Sequence, residues 1–249
     1  MPITKLIGAA AGILLLFSAC TVDEADPIQQ LREPHMLPLG SAAIDLLTDT
    51  KYRSLTVEIV AAQDYALSPW AVEKFTSFLT THLAKPDGIF IEQRVLNVAH
   101  SGSLTIAEVL EQERQTRSLY SKEDHITVYI FVADGTFHLD NDTHKTLGSA
   151  YHNTSMVIYG KTLRALSQRP DMPLLSVLEA TTLTHEFGHL LGLSDDNRHA
   201  KDHSDGHCNE EGCLMEAAIR FDSGLSIIDK NIPDLGPKCL LELNAKKNQ

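Results

Sequence analysis

The stretch Leu174-Leu175-Ser176-Val177-Leu178-Glu179-Ala180-Thr181-Thr182-Leu183-Thr184-His185-Glu186-Phe187-Gly188-His189-Leu190-Leu191-Gly192 decides how this chain is read. Pro173, just ahead of it, suits the opening of a long helix, with Asp171 nearby as a cap, and Gly192 is placed to end that helix after Leu191. Leu174, Leu175, Val177, Leu178 and Leu183 before the polar group, and Leu190, Leu191 and Leu193 after it, predict a buried helix. His185 and His189 stand four residues apart, so they project from one face and both imidazoles can reach one ion. Glu186 points beside the ion, where a carboxylate can take a proton from water and pass it to a leaving amine. Burying such groups costs free energy unless something satisfies them, and a bound cation does.

Upstream, strand and helix patterns alternate. Leu55 to Val60 alternates as a half-buried strand should. Ser68 can cap a helix that opens at Pro69 and carries Trp70, Val72, Phe75, Phe78, Leu79 and Leu83 at helical spacing. Ile89 to Leu96 predicts a second strand. Ser103 to Leu119 predicts a polar helix with a thin stripe of Ile106, Val109 and Leu110. Ile126 to Val132, rich in β-branched and aromatic residues, predicts a central strand. A polar run from Asp134 to Asn153 leads to a short strand at Met156 to Tyr159. This order predicts an α/β (α+β) fold, a mixed twisted sheet with helices packed on it and a small C-terminal part.

The chain has 249 residues, 43% of them hydrophobic and 22% charged, which excludes wholesale disorder and a multi-span membrane protein. Its 33 acidic and 21 basic side chains leave a net charge of -12, an unfavourable field for a nucleic-acid backbone. Of its 12 histidines, five fall between His185 and His207. Lys5, the apolar run from Ile7 to Phe17 and the sequence Leu16-Phe17-Ser18-Ala19-Cys20 resemble a bacterial lipoprotein signal, residues 1–19, with Cys20 as the lipidated first residue of the mature chain. That resemblance implies an extracytoplasmic protein held to a membrane by an acyl anchor. Residues 20–50, with Asp23, Glu24, Asp26, Pro27, Pro34 and Pro38, are expected to act as a flexible tether, and 51–249 as a single domain. Outside the cytoplasm, Cys208, Cys213 and Cys239 fit one disulfide of unassigned pairing or a metal cluster.

Gly192 lies three residues past His189 and lets the chain turn sharply and return to an ion. His185-Glu186-Phe187-Gly188-His189-Leu190-Leu191-Gly192 therefore resembles the metzincins, zinc endopeptidases named for a methionine turn beneath the metal. The resemblance implies Zn2+ on His185 and His189, Glu186 as the group that activates the zinc-bound water, Met215 as the turn methionine, and a protein or peptide substrate. It also implies that the substrate runs along an edge strand near Leu147 to Tyr151, with Glu216, Ala217, Ala218 and Ile219 shaping the pocket past the scissile bond.

The third ligand has two candidates. Metzincin spacing points to Asp195. Residues 207–215, His-Cys-Asn-Glu-Glu-Gly-Cys-Leu-Met, instead resemble archaemetzincins, in which a ligand histidine directly precedes a cysteine. On that match His207 is the ligand, and imidazole is the commoner third partner on catalytic zinc. His199 and His203 lie between the two candidates and are alternatives in turn. Archaemetzincin cysteines hold a second, structural zinc and end in a Cys-x-x-Cys pair. Here Glu242 follows Cys239 where the partner cysteine belongs, so one catalytic ion is expected.

The resulting expectation is a zinc-dependent endopeptidase on a lipid anchor. Two rival readings stand beside it: a peptidase whose third ligand is a downstream carboxylate (Glu210, Glu211 or Glu216), and a non-catalytic surface lipoprotein that binds zinc through its histidine-rich loop.

Overall fold

The computed structural model describes residues 27–97, 102–193, 206–217 and 232–248. Short helices α1 (Pro27–Arg32) and α2 (Ala43–Leu47), with a 3-10 turn at Glu33–His35 between them, precede the body. There follow β1 (Ser54–Ala61), α3 (Pro69–His82), β2 (Ile89–Val95), β3 (Ser103–Leu104), α4 (Ile106–Thr116), β4 (His125–Ala133) and β5 (Thr136–Phe137). The chain continues through β6 (Gly148–His152), β7 (Ser155–Tyr159), α5 (Gly160–Ser167), α6 (Leu175–Leu190) and α7 (Pro237–Lys247).

Five strands form the main sheet in the order β2-β1-β4-β7-β6. Parallel pairing joins β2, β1, β4 and β7, while β6 runs antiparallel to β7 at the free edge. β3 and β5 pair in a separate ribbon. The predicted mixed sheet is thus present, with β4 at its centre as its composition implied.

Helices cover both faces. Leu55, Val57 and Ile59 of β1 share a core with Ala71, Phe75 and Leu79 of α3 and with Leu178, Leu183 and Phe187 of α6. On the opposite face Val60, Tyr129, Phe131, Val157 and Tyr159 pack with Val109 of α4. This corrects the half-buried reading of β1, in which Thr56 and Glu58 are buried as well. Parallel strands lie inside a layered fold, so both faces are covered. Glu58 is tolerated there because its carboxylate accepts from Arg94 (2.9 Å), the Ser118 amide (3.0 Å) and hydroxyl (2.6 Å), and the Leu119 amide (3.1 Å).

Helix starts follow local chemistry. Ser68 caps α3 by accepting from the Ala71 amide at 3.3 Å. α4 opens on a reciprocal box between Thr105 and Glu108, so it starts later than Ser103. α6 begins at Leu175 with Leu174 at the cap position, and Asp171 instead faces Arg169 on the surface at 3.4 Å. The cap residue must adjoin the first turn, and Asp171 is too far upstream to reach it.

Part of the stretch expected as a tether up to residue 50 lies against the body among the described residues. Leu46 and Leu47 are fully buried, and Lys85 Nζ donates to the carbonyls of Asp45, Thr48 and Tyr52. His35 is buried between elements: the Ser121 amide donates to Nε2 at 3.0 Å and Nδ1 lies 2.7 Å from Thr154 Oγ1. Polar composition concealed this packing, since much of the segment is exposed and only a few side chains hold it. Residues 1–26, which include Cys20 and the stretch expected as a signal, lie outside the described residues.

Candidate active site

α6 carries His185, Glu186 and His189 through the apolar interior and ends at the expected glycine. Gly192 has φ +66°, its amide donates to His189 O at 2.9 Å, and the Leu193 amide donates to Gly188 O at 3.1 Å. This six-to-one and five-to-two pair of bonds closes the helix and turns the chain away. Asp195, His199 and His203 lie outside the described residues. Where description resumes, His207 faces the two helix histidines.

The three imidazoles form a nearly even triangle. Ring centroids are 4.9 Å apart for His185–His189, 5.3 Å for His185–His207 and 5.0 Å for His189–His207. One nitrogen from each ring lies within 4.8 Å of the other two. Nε2 of His185 and Nε2 of His189 are 3.2 Å apart. Two nitrogens bound to one tetrahedral zinc at ordinary bond lengths stand about 3.3 Å apart, so the pair fits that ion.

The protonation chemistry agrees. His185 Nδ1 lies 2.7 Å from Leu214 O, and a carbonyl there must receive the Nδ1 proton, which leaves Nε2 with a free lone pair. Burial, partly opposed by that carbonyl, pushes the His185 pKa down to about 4, and burial holds His189 well below the usual imidazole range. Neutral imidazoles are the form that binds metal.

Beneath them lies Met215, fully buried. The Cys208 amide donates to Met215 O at 2.7 Å and the Leu214 amide to Asp234 O at 2.8 Å, which fastens the His207 and Met215 segments side by side. A Cβ on Gly188 would sit 2.3 Å from Met215 Sδ. The glycine inside the histidine motif therefore makes room for the methionine below it, a role that spacing alone did not reveal.

Glu186 reaches the free edge of the sheet. Its Oε2 accepts from the Ala150 amide at 2.9 Å. A Cβ on Gly148 would lie 2.7 Å from Glu186 Cγ and 2.9 Å from Oε1, so the carboxylate passes under a strand residue that has no side chain. Burial pushes Glu186 up to about 8, against the opposing pull of the Ala150 amide. In its ionised form a carboxylate beside three imidazoles can accept a proton from a neighbouring water molecule.

The edge strand lies where expected, at Gly148–His152. Tyr159 N donates to Leu147 O at 2.8 Å, and Gly148 is registered opposite Ile158. By antiparallel alternation Gly148 and Ala150 then direct their backbone groups away from β7, toward the open edge.

The downstream carboxylates are engaged elsewhere. Glu210 accepts from the Lys238 amide at 2.9 Å, Glu216 accepts from the Gly212 amide at 3.1 Å, and Glu211 is exposed. The acid-ligand alternative thus gains no support from these positions. Ala217 is exposed, and Ala218 and Ile219 lie outside the described residues.

Cys208, Cys213 and Cys239 converge behind the site as three buried thiols with sulfurs within 4.8 Å of one another, Cys213 and Cys239 being 3.6 Å apart. The Gly236 and Met215 amides donate to Cys213 Sγ at 3.2 and 3.4 Å. The bond from Cys239, helped by these amides, lowers the Cys213 pKa to about 6. Glu242, on the same helix as Cys239, faces Lys246 at 3.6 Å.

No family model and no curated protein matches this chain. Among solved structures, archaemetzincin from Methanopyrus kandleri is 18% identical over 79% of this chain and 97% of its own, with a TM-score of 0.51. Metalloproteinase-II from Bacteroides fragilis is 14% identical over 81% of this chain and 56% of its own, with a TM-score of 0.45. The mixed α/β fold is thus similar to that of archaemetzincin, a likeness of architecture at this identity.

Proposed function

We propose that this protein is a zinc endopeptidase of metzincin type, extracytoplasmic and held to a membrane by an acyl group on Cys20, facing the periplasm or the cell surface. The observation that carries the reading is the cluster formed by His185, His189 and His207, with Glu186 next to it in the helix and bonded to the edge strand. Zinc held on the three imidazoles supplies a Lewis acid for the scissile carbonyl and lowers the pKa of water.

The remaining work falls to this chain's own groups. β6 receives an extended peptide through the outward backbone groups of Gly148 and the carbonyl of Ala150, which fixes the scissile bond beside the imidazoles. Glu186 removes a proton from the attacking water and delivers it to the departing amine nitrogen. The Ala150 amide and the gap at Gly148 hold that carboxylate in place. Leu214 O keeps His185 in the tautomer that binds metal.

One ion per chain is proposed. Closed structural zinc sites take four donors, whereas the thiol group has three and Glu242 faces a lysine. Two tight equivalents in the purified protein would overturn that count.

Glu186→Gln tests the mechanism. The variant is expected to keep its zinc and lose peptide hydrolysis by at least ~100-fold, the scale of a positioned acid–base group. Turnover equal to the parent, with zinc bound, would remove Glu186 from the mechanism, and absence of hydrolysis by the zinc-loaded parent would leave a metal-binding lipoprotein as the better reading.

A further inference from the structure

Eleven large apolar side chains are exposed among the described residues, and five of them (Ile28, Leu31, Met36, Leu37 and Ile44) fall in the N-terminal segment 28–44. Their exposures run from 43% to 53%. Ile28 and Leu31 share one face of α1, because three residues make nearly one turn.

The segment that carries them is pinned to the body. Arg32 Nη2 donates to Arg114 O at 2.8 Å, Asn153 Nδ2 to Pro34 O at 2.9 Å, and the Asn153 amide to Leu37 O at 3.0 Å. His35 is buried between these contacts. Water-facing apolar side chains on a fastened segment form a surface that favours cover.

What covers it follows from where the segment sits in the chain. Cys20 stands seven residues before Pro27. That connection spans at most about 25 Å even when fully extended. An acyl group on Cys20 therefore keeps residues 28–44 close to the lipid in which it is buried. The chain's net charge of -12 gives no general attraction to anionic headgroups, so contact at this surface is apolar.

We infer that segment 28–44 is a shallow membrane-contact surface, with Ile28, Leu31, Met36 and Leu37 entering the interface of the bilayer that holds the anchor. The inference rests on the proposed acylation of Cys20. It adds a second, reversible contact to the acyl anchor. Because Asn153 in the β6–β7 turn is bonded to Pro34 and Leu37, the contact also turns the His152 end of the edge strand toward the bilayer. Peptide segments emerging near the membrane surface are then the ones best placed to pair with β6.

The test uses the full acylated chain in phosphatidylcholine vesicles, with bromine on the upper acyl carbons as a short-range quencher. Leu31→Trp and Met36→Trp report on the surface, and Leu174→Trp, at a position 48% exposed just ahead of α6, reports on the end of the sheet near Ser68 and Glu179, away from Asn153. Trp70 is a constant background in all three. Brominated lipid is expected to reduce the added emission of the first two by about two-fold and to leave the third unchanged, with no loss of effect as salt is raised. Equal quenching at all three positions, in chains that float with the vesicles, overturns the contact surface and leaves the anchor standing. Failure of the chains to float removes the anchor and the contact surface together.

Discussion

The amide of Ala150 donates to Oε2 of Glu186 at 2.9 Å, joining the edge strand to the carboxylate of the active-site helix. The strand proposed to receive a peptide also orients the proposed base. Glu186 has few ways to lie there, because Gly148 is the residue it passes under.

Gly148→Ala should displace Glu186, since the new methyl would fall 2.7 Å from its Cγ. Hydrolysis is expected to drop by roughly 100-fold while zinc content stays at the parent level, because the imidazoles are untouched. The useful readout is kcat against KM with metal measured in the same samples. Parent kcat in a metal-replete variant would show that this gap does not position the carboxylate.

Gly188→Ala should act through packing. The added Cβ would meet Met215 Sδ at 2.3 Å inside a closed core, so methionine or helix must move. Overpacking of this kind costs about 1–3 kcal/mol, and the denaturation midpoint should fall accordingly. Gly188→Ala combined with Met215→Ala should recover part of the loss, whereas additive losses would place the strain elsewhere.

His207→Ala should empty the metal site, and Asp195→Ala should leave it filled. His207 is one of three rings with mutual centroid distances of 4.9 to 5.3 Å. Equilibrium dialysis against zinc separates the two ligand choices directly. Loss of metal only in the aspartate variant would reassign the third ligand.

His35 makes stability sensitive to acid. Burial, aided by Arg117, lowers its pKa from 6.5 to about 3, so the folded chain refuses a proton that the unfolded chain accepts. Its stabilising contribution is complete above pH 6.5 and is lost as pH falls from 6.5 toward 3. Between pH 7 and pH 5 this one group should remove about 2 kcal/mol of stability. His35→Gln is expected to be less stable at pH 7 but to show a shallower decline over that range. Parallel curves for the two proteins would clear His35 of the effect.

Much of the architecture was legible in residue order. The β-branched run at Ile126 to Val132 marked β4, Ser68 with Pro69 marked α3, and the two histidines with Gly192 marked both the site and the end of α6. Thr105 with Glu108 was an available signal for the start of α4, stronger than the apolar stripe used to place it. Local chemistry suffices in such cases, because capping bonds and side-chain periodicity are set within one or two turns.

The sequence by itself therefore determined the helix, its stop and the pair of imidazoles, since four-residue spacing on a helix leaves little choice of direction. Tertiary structure decided the rest. His207 joins the pair only because the segment bearing Met215 folds back, with Leu214 O against His185 Nδ1. Gly148, Gly188 and Ala150 acquire their roles from atoms remote in the chain, and no local pattern encodes a vacancy or an amide's direction. How closely the N-terminal segment packs was hidden for the same reason. Contacts to Arg114, Asn153 and Lys85, together with buried His35, Leu46 and Leu47, hold it down, and interactions between distant residues leave no periodic trace.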